Sequence, residues 1–86
     1  MYDPQHITAT GNVGAASGGT LQSVILSADE AAASLTLKEG GAGGTTFLTV
    51  TAPEDETTAI TGLCAVYHGQ LHATLSGTGA TATVVI

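Results

Sequence analysis

Ser34-Leu35-Thr36-Leu37-Lys38-Glu39 alternates strictly between polar and apolar side chains. Successive side chains of a strand point to opposite faces, so this period of two turns Leu35 and Leu37 toward a core and leaves Ser34, Thr36 and Lys38 on a wet face. The segment is a half-buried strand, and the chain around it repeats the same grammar. Gly40-Gly41-Ala42-Gly43-Gly44 is a flexible turn, and Thr45 to Ala52 is a second strand with Leu48 and Val50 on one face. Pro53-Glu54-Asp55-Glu56 stops that strand in an acidic turn.

Farther along, Thr57 to Leu63 reads as a strand interrupted at Gly62, and Cys64 to His68 as a separate short one. Gly69-Gln70 turns the chain, Leu71 to Leu75 alternates, Ser76 to Gly79 turns again, and Ala80 to Ile86 closes it as a strand. Upstream, Leu21 and Val24 lie on opposite parities, which predicts a bulge near Gln22-Ser23 within the strand Leu21 to Ser27. Ala28 to Ala33 is too short for a stable helix and reads as a turn with at most one helical turn. His6 to Val13 is a Thr-rich strand, and Gly14 to Gly19 a loop.

Seven to eight short strands at this spacing, with no helix-length period, predict an all-β fold: a small antiparallel β-sandwich, jelly-roll-like or Ig-like. The expected organisation is one domain over residues 1–86, with residues 1–6 as an N-terminal arm. Branched Thr, Val and Ile suit a pleated surface. Gly, Ala and Thr together supply 41 of the 86 residues, which leaves few large side chains for a core. Small cores of this kind usually need a staple. With one cysteine no intrachain disulfide exists, so assembly into an oligomer or docking on a larger surface is the expected staple.

Charge removes whole classes of function. The chain has seven acidic residues and one basic residue, Lys38, for a net charge of -6. A nucleic-acid binder needs cations to neutralise phosphates, and an anionic membrane surface repels this balance. No stretch approaches the roughly 20 apolar residues of a membrane-spanning helix, and the first residues lack the pattern of a secretory leader. Synthesis in a cytoplasm is the expectation that follows.

The chemistry-bearing residues form no catalytic set. Cys64 lacks a surrounding nucleophile motif and reads as a small buried apolar residue. His68 and His72 have the spacing of a helical metal pair, but Gly69 and the alternation oppose a helix, so they read as surface or interface histidines, as does His6. Glu54-Asp55-Glu56 and Asp29-Glu30 lack a calcium-loop pattern and read as solvated turns. The Gly40–Gly44 run precedes a strand and has no phosphate-binding lysine in place. A non-enzyme without cofactor or metal is expected. The candidate assembly contact is the N-terminal segment, through Tyr2, Pro4, His6 and Ile7, because a terminal arm can lie on a neighbour.

Ile7-Thr8-Ala9-Thr10-Gly11-Asn12-Val13-Gly14 resembles the opening "TATG-V" strand and Gly-rich turn of a group of small tailed-bacteriophage virion proteins. The likeness continues through Leu21 to Leu26, Leu35 to Gly40, Leu48 to Pro53 and a closing segment, Leu75 to Val84. It departs at Ala28 to Ala33 and at Cys64 to His68. The resemblance implies a β-sandwich structural protein of the capsid cement or decoration type, bound to the major capsid protein on the outer surface of the head. In that reading it is a homo-oligomer, with a trimer favoured, made in the host cytoplasm and localised to the virion. Two other readings stand beside it. One is a head-fibre base, or a tail or neck component. The other is a small carbohydrate-binding or adhesion module, which the shortage of aromatics (Tyr2, Phe47 and Tyr67) disfavours.

Overall fold

A computed structural model describes residues 4–14 and 17–86. In chain order its strands are β1 (Pro4–Ile7), β2 (Gly11–Val13), β3 (Gly18–Leu21), β4 (Ser23–Ser27) and β5 (Ala33–Glu39). They continue with β6 (Thr45–Ala52), β7 (Thr57–Ile60), β8 (Ala65–His68), β9 (Leu71–Ser76) and β10 (Thr81–Val85). The described residues contain no helix. Two four-stranded antiparallel sheets, β1-β10-β4-β7 and β2-β9-β5-β6, face each other as a β-sandwich, and β3 and β8 form a two-stranded ribbon.

The alternation around Leu35 is what places the core. Leu35 and Leu37 are fully buried, and the register sets them beside Leu48 and Val50 of β6 and Ala73 and Leu75 of β9. The opposite layer contributes Ile7, Val24, Leu26, Ala82 and Val84, all buried. Each fully buried leucine contributes about 1.5–3 kcal/mol relative to an exposed one. No polar or charged residue is buried among the described residues. The largest side chain in the core is Tyr67, whose ring meets Phe47 edge-on at a centroid distance of 6.4 Å.

Phe47 reaches that ring because of a bulge. Leu37 pairs with Leu48 and Lys38 with Thr46, so Phe47 is the extra residue on β6. An extra residue re-aims side chains on a bulged strand. Here it lets Phe47 pack against the core.

Ten strand segments appear where seven to eight were expected, because two extended runs are broken in the middle. Where a bulge was expected near Gln22-Ser23, the run is instead broken at Gln22, between β3 and β4. Thr57 to Leu63 and Cys64 to His68, expected as separate strands, are β7 and β8, with β8 alongside β3. The expected strand His6 to Val13 crosses from one sheet to the other between β1 and β2. Gly18 and Gly19, expected in a loop, open β3, and Ala33 opens β5 rather than ending a turn. Of the expected arm, Pro4 to His6 belong to the edge strand β1, paired with Val85, Val84 and Thr83.

Candidate functional site

The loops gather five of the six described carboxylates at one end of the sandwich and most glycines at the other. At the first end the Ala28 N–H donates to the Glu56 carbonyl at 2.9 Å, and the Asp55 N–H to the Asp29 carbonyl at 3.0 Å. These bonds tie the β4–β5 connection to the β6–β7 turn. Asp29, Glu30, Glu54, Asp55 and Glu56 are thereby held at one end, all exposed.

The opposite end is built from Gly40–Gly44, Gly69-Gln70, and the glycines flanking β3. The Gly40 and Gly41 N–H groups both donate to the Gln70 carbonyl at 2.9 Å. The Gln70 side-chain amide in turn donates to the carbonyls of Val13, Gly14 and Leu71, at 3.0, 3.3 and 3.2 Å. Glu39 accepts the His68 N–H at 2.6 Å, so the one described carboxylate at this end is engaged with backbone.

Each end carries one concavity, and the two differ in chemistry. Beside the acidic end a shallow hollow of about 420 Å³ has Ala32, Pro53, Ser34 and Ser76 in its walls. Two of its hydroxyls, Ser34 Oγ and Ser76 Oγ, bond each other at 2.6 Å. At the glycine end a cleft of about 370 Å³ runs along Gly18, Gly19 and Thr20, with Gln5 and Ile86 opposite, Gly14 at one side and Tyr67 beneath.

Tyr67 is only 2% exposed, and its hydroxyl bonds to no described residue. A buried tyrosine hydroxyl ordinarily finds a partner, because leaving a polar group unpaired is costly. The neighbouring glycines exist for this ring. A Cβ on Gly14 would lie 2.7 Å from the hydroxyl oxygen, and one on Gly19 2.9 Å from it. A Cβ on Gly18 would lie 2.6 Å from the Tyr67 carbonyl oxygen.

The outer face of β9-β5-β6 is a regular hydroxyl array. Thr74 and Ser76, Thr36 and Ser34, and Thr49 and Thr51 stand side by side in register. The outer face of the other sheet has a more apolar centre, where Ile25 is 37% exposed and pairs with Thr83 and Ala59.

The residues singled out from sequence separate. Tyr2 lies outside the described residues. Pro4 and His6 are exposed on β1, whereas Ile7 is 7% exposed and points into the core. His6 stands near Thr83, His72 beside Asn12 Oδ1 at 3.1 Å, and His68 is paired with Gly18 on the ribbon, so the three histidines sit on three different sheets. No metal-binding cluster forms among the described residues. Cys64, expected to be buried, is exposed, because it lies in the break between β7 and β8 rather than on a strand face. Tyr67 had no sequence signal beyond its place in a short alternating run. Comparison with protein-family models, curated proteins and solved structures finds no match to this chain.

Proposed function

We propose that this chain is a structural protein of a tailed-phage virion, a cement or decoration protein that binds the major capsid protein on the outside of the head. The observation that carries the reading is the separation of charge along the sandwich. Five of the six described acidic residues stand at one end, and the sixth, Glu39, is tied to the His68 amide. Interface cores are depleted in charge, so the glycine end suits contact and the acidic end suits solvent. A net charge of -6 is repelled by packaged DNA, which favours the outer side of a shell. The all-β sandwich and the resemblance at Ile7 to Gly14 agree with that role.

In this reading the chain acts mechanically. It bridges neighbouring capsomers and adds contact free energy against internal pressure. Assembly as a homo-oligomer, a trimer in the simplest case, multiplies that contact without new chemistry. The carbohydrate-module reading loses ground, because Tyr67 is buried and offers no exposed platform for a sugar ring.

The test is quantitative proteomics of purified intact particles. The expected result is a copy number that scales with the capsomers, and heads that rupture more readily when the protein is left out. Its absence from purified heads would overturn the proposal. A copy number set by the tail or by fibres would move the protein to those structures.

A further inference from the structure

Four strands end a four-stranded sheet, and β6 differs from the other three. β2 has three residues, β1 and β7 have four each, and β1 carries Pro4 and His6. Short length, proline and charge are the devices that keep an edge from pairing with another chain. β6 runs for eight residues with no charge and no proline. Its bulge at Phe47 leaves Leu48 to Ala52 in unbroken register with β5. Along such an edge the N–H and C=O groups of alternate residues point outward. β6 ends its sheet among the described residues, and β1 and β2, the strands next in sequence to residues 1–3 and 15–16, are the opposite edges of the two sheets.

We infer that β6 is a self-pairing edge. Two copies of the chain join β6 to β6, antiparallel about a two-fold axis, with Val50 opposite Val50 and each acidic turn beside the Lys38 of the other copy.

Charge at the two ends of the edge identifies the partner. At one end Pro53 leads into Glu54, Asp55 and Glu56, all exposed. At the other stands Lys38, the chain's one lysine or arginine. Lys38 pairs with Thr46, and its ammonium donates to the Ala42 carbonyl at 3.4 Å, in the loop that leads into β6. An antiparallel copy sets unlike ends together at both ends of the contact. With Val50 on the axis, Glu54 comes level with Thr46, the cross-strand neighbour of Lys38. The two acidic turns then lie roughly 30 Å apart at about 3.4 Å per residue, well beyond a Debye length of about 8 Å. A net charge of -6 therefore does not oppose this contact, whereas a parallel copy would set the acidic turns side by side. The edge is its own complement, as a two-fold interface requires.

The regular segment fixes the register. Centring on Val50 uses all of Leu48 to Ala52, keeps Leu48, Val50 and Ala52 of both copies on the core side, and sets Thr49 opposite Thr51 on the wet face, a favourable cross-strand pair. The inference stands apart from the virion reading, and its two-fold contact differs from the trimer named there.

The test is sedimentation equilibrium of the intact protein from about 10 µM to 1 mM, the range of a weak, small interface. The expected result is a monomer–dimer equilibrium that stops at the dimer. Amide exchange within Leu48 to Ala52 should slow as protein concentration rises, by roughly tenfold when the dimer dominates, with β1 and β7 unchanged. Two double variants read the register. Thr49→Lys with Thr51→Lys opposes like charges across the axis and should weaken association at least tenfold, although it lowers the net negative charge. Thr49→Lys with Thr51→Glu opposes unlike charges at the same positions and should keep association within about threefold of the parent. Lys38→Gln should weaken the dimer by about threefold at low salt and less at high salt. A monomer throughout, a trimer, protection on β1 or β7 instead of β6, or equal loss in the two double variants would each overturn the inference. The exchange measurement on the unaltered chain decides the matter if a variant fails to fold.

Discussion

The two ends of this sandwich are made from the same few residue types and behave in opposite ways. At the acidic end the turns are fastened by main-chain bonds, and the side chains that project are carboxylates with no packing role. The hollow there is walled by small residues, among them Ser34 and Ser76, whose hydroxyls bond each other. At the glycine end the loops are fastened by Gln70, the backbone approaches an aromatic ring closely, and the Tyr67 hydroxyl bonds to no described residue. The acidic end is held by its turns; the other end is packed so closely around Tyr67 that Gly14, Gly18 and Gly19 leave no room for a Cβ. A small domain with little core can place its few large side chains where contact is wanted and its charge where it is not.

The comparison breaks most sharply at Tyr67. Tyr67→Ala empties the floor of the cleft and removes the partner of Phe47, and it should cost about 3–5 kcal/mol in denaturant unfolding. Tyr67→Phe keeps the ring and removes a hydroxyl that bonds to no described residue, so the same measurement should move by less than about 1 kcal/mol. A large loss in Tyr67→Phe would mean that the hydroxyl is already satisfied within the chain, and the glycine end would then be as finished as the acidic one.

A smaller effect separates two glycines of one turn. A Cβ on Gly44 would sit in the backbone of Glu39, at 2.0 Å from its carbonyl oxygen, whereas a Cβ on Gly43 meets nothing within 4 Å. Gly44→Ala should destabilise by about 2–3 kcal/mol through backbone displacement. Gly43→Ala should be neutral or stabilise by about 0.5 kcal/mol, by restricting the unfolded chain. Equal effects in thermal melts would show that the turn is loose, and that its glycines serve only flexibility.

These sites mark how far the sequence was legible. The period of two around Leu35, and the same parity at Leu48 and Val50, led directly to the core of the second sheet, because burial on one face imposes alternation. The interruption near Gln22 was legible for the same reason, as a change of parity, although it is a break between two strands rather than the bulge expected. What stayed hidden depends on events off the strand. The crossing between β1 and β2 leaves an unbroken alternating run, so His6 to Val13 looks like one strand although it serves two sheets. Cys64 looks like a core residue because nothing local marks the break that exposes it. The N-terminal contact residues were chosen as an arm, whereas Ile7 fills the core and Pro4 and His6 sit on an edge strand. The cleft was illegible altogether. It gathers Gln5, Gly18 to Thr20, Tyr67 and Ile86 from segments far apart in the chain, and no local pattern encodes that.

The weakest expected effect tests the acidic end. Asp29 and Asp55 are held together by main-chain bonding that does not involve their carboxylates, and Asp55 adopts a left-handed conformation at φ 60° that asparagine also tolerates. Replacing Glu54, Asp55 and Glu56 by Gln, Asn and Gln should therefore leave the turn intact and relieve repulsion among neighbouring carboxylates. A rise in melting temperature of about 1–2 °C at low salt follows, shrinking as ionic strength approaches 1 M because exposed charges are screened. A fall in stability that persists in high salt would show that these side chains organise the turn, and would put structure rather than solvation at the acidic end.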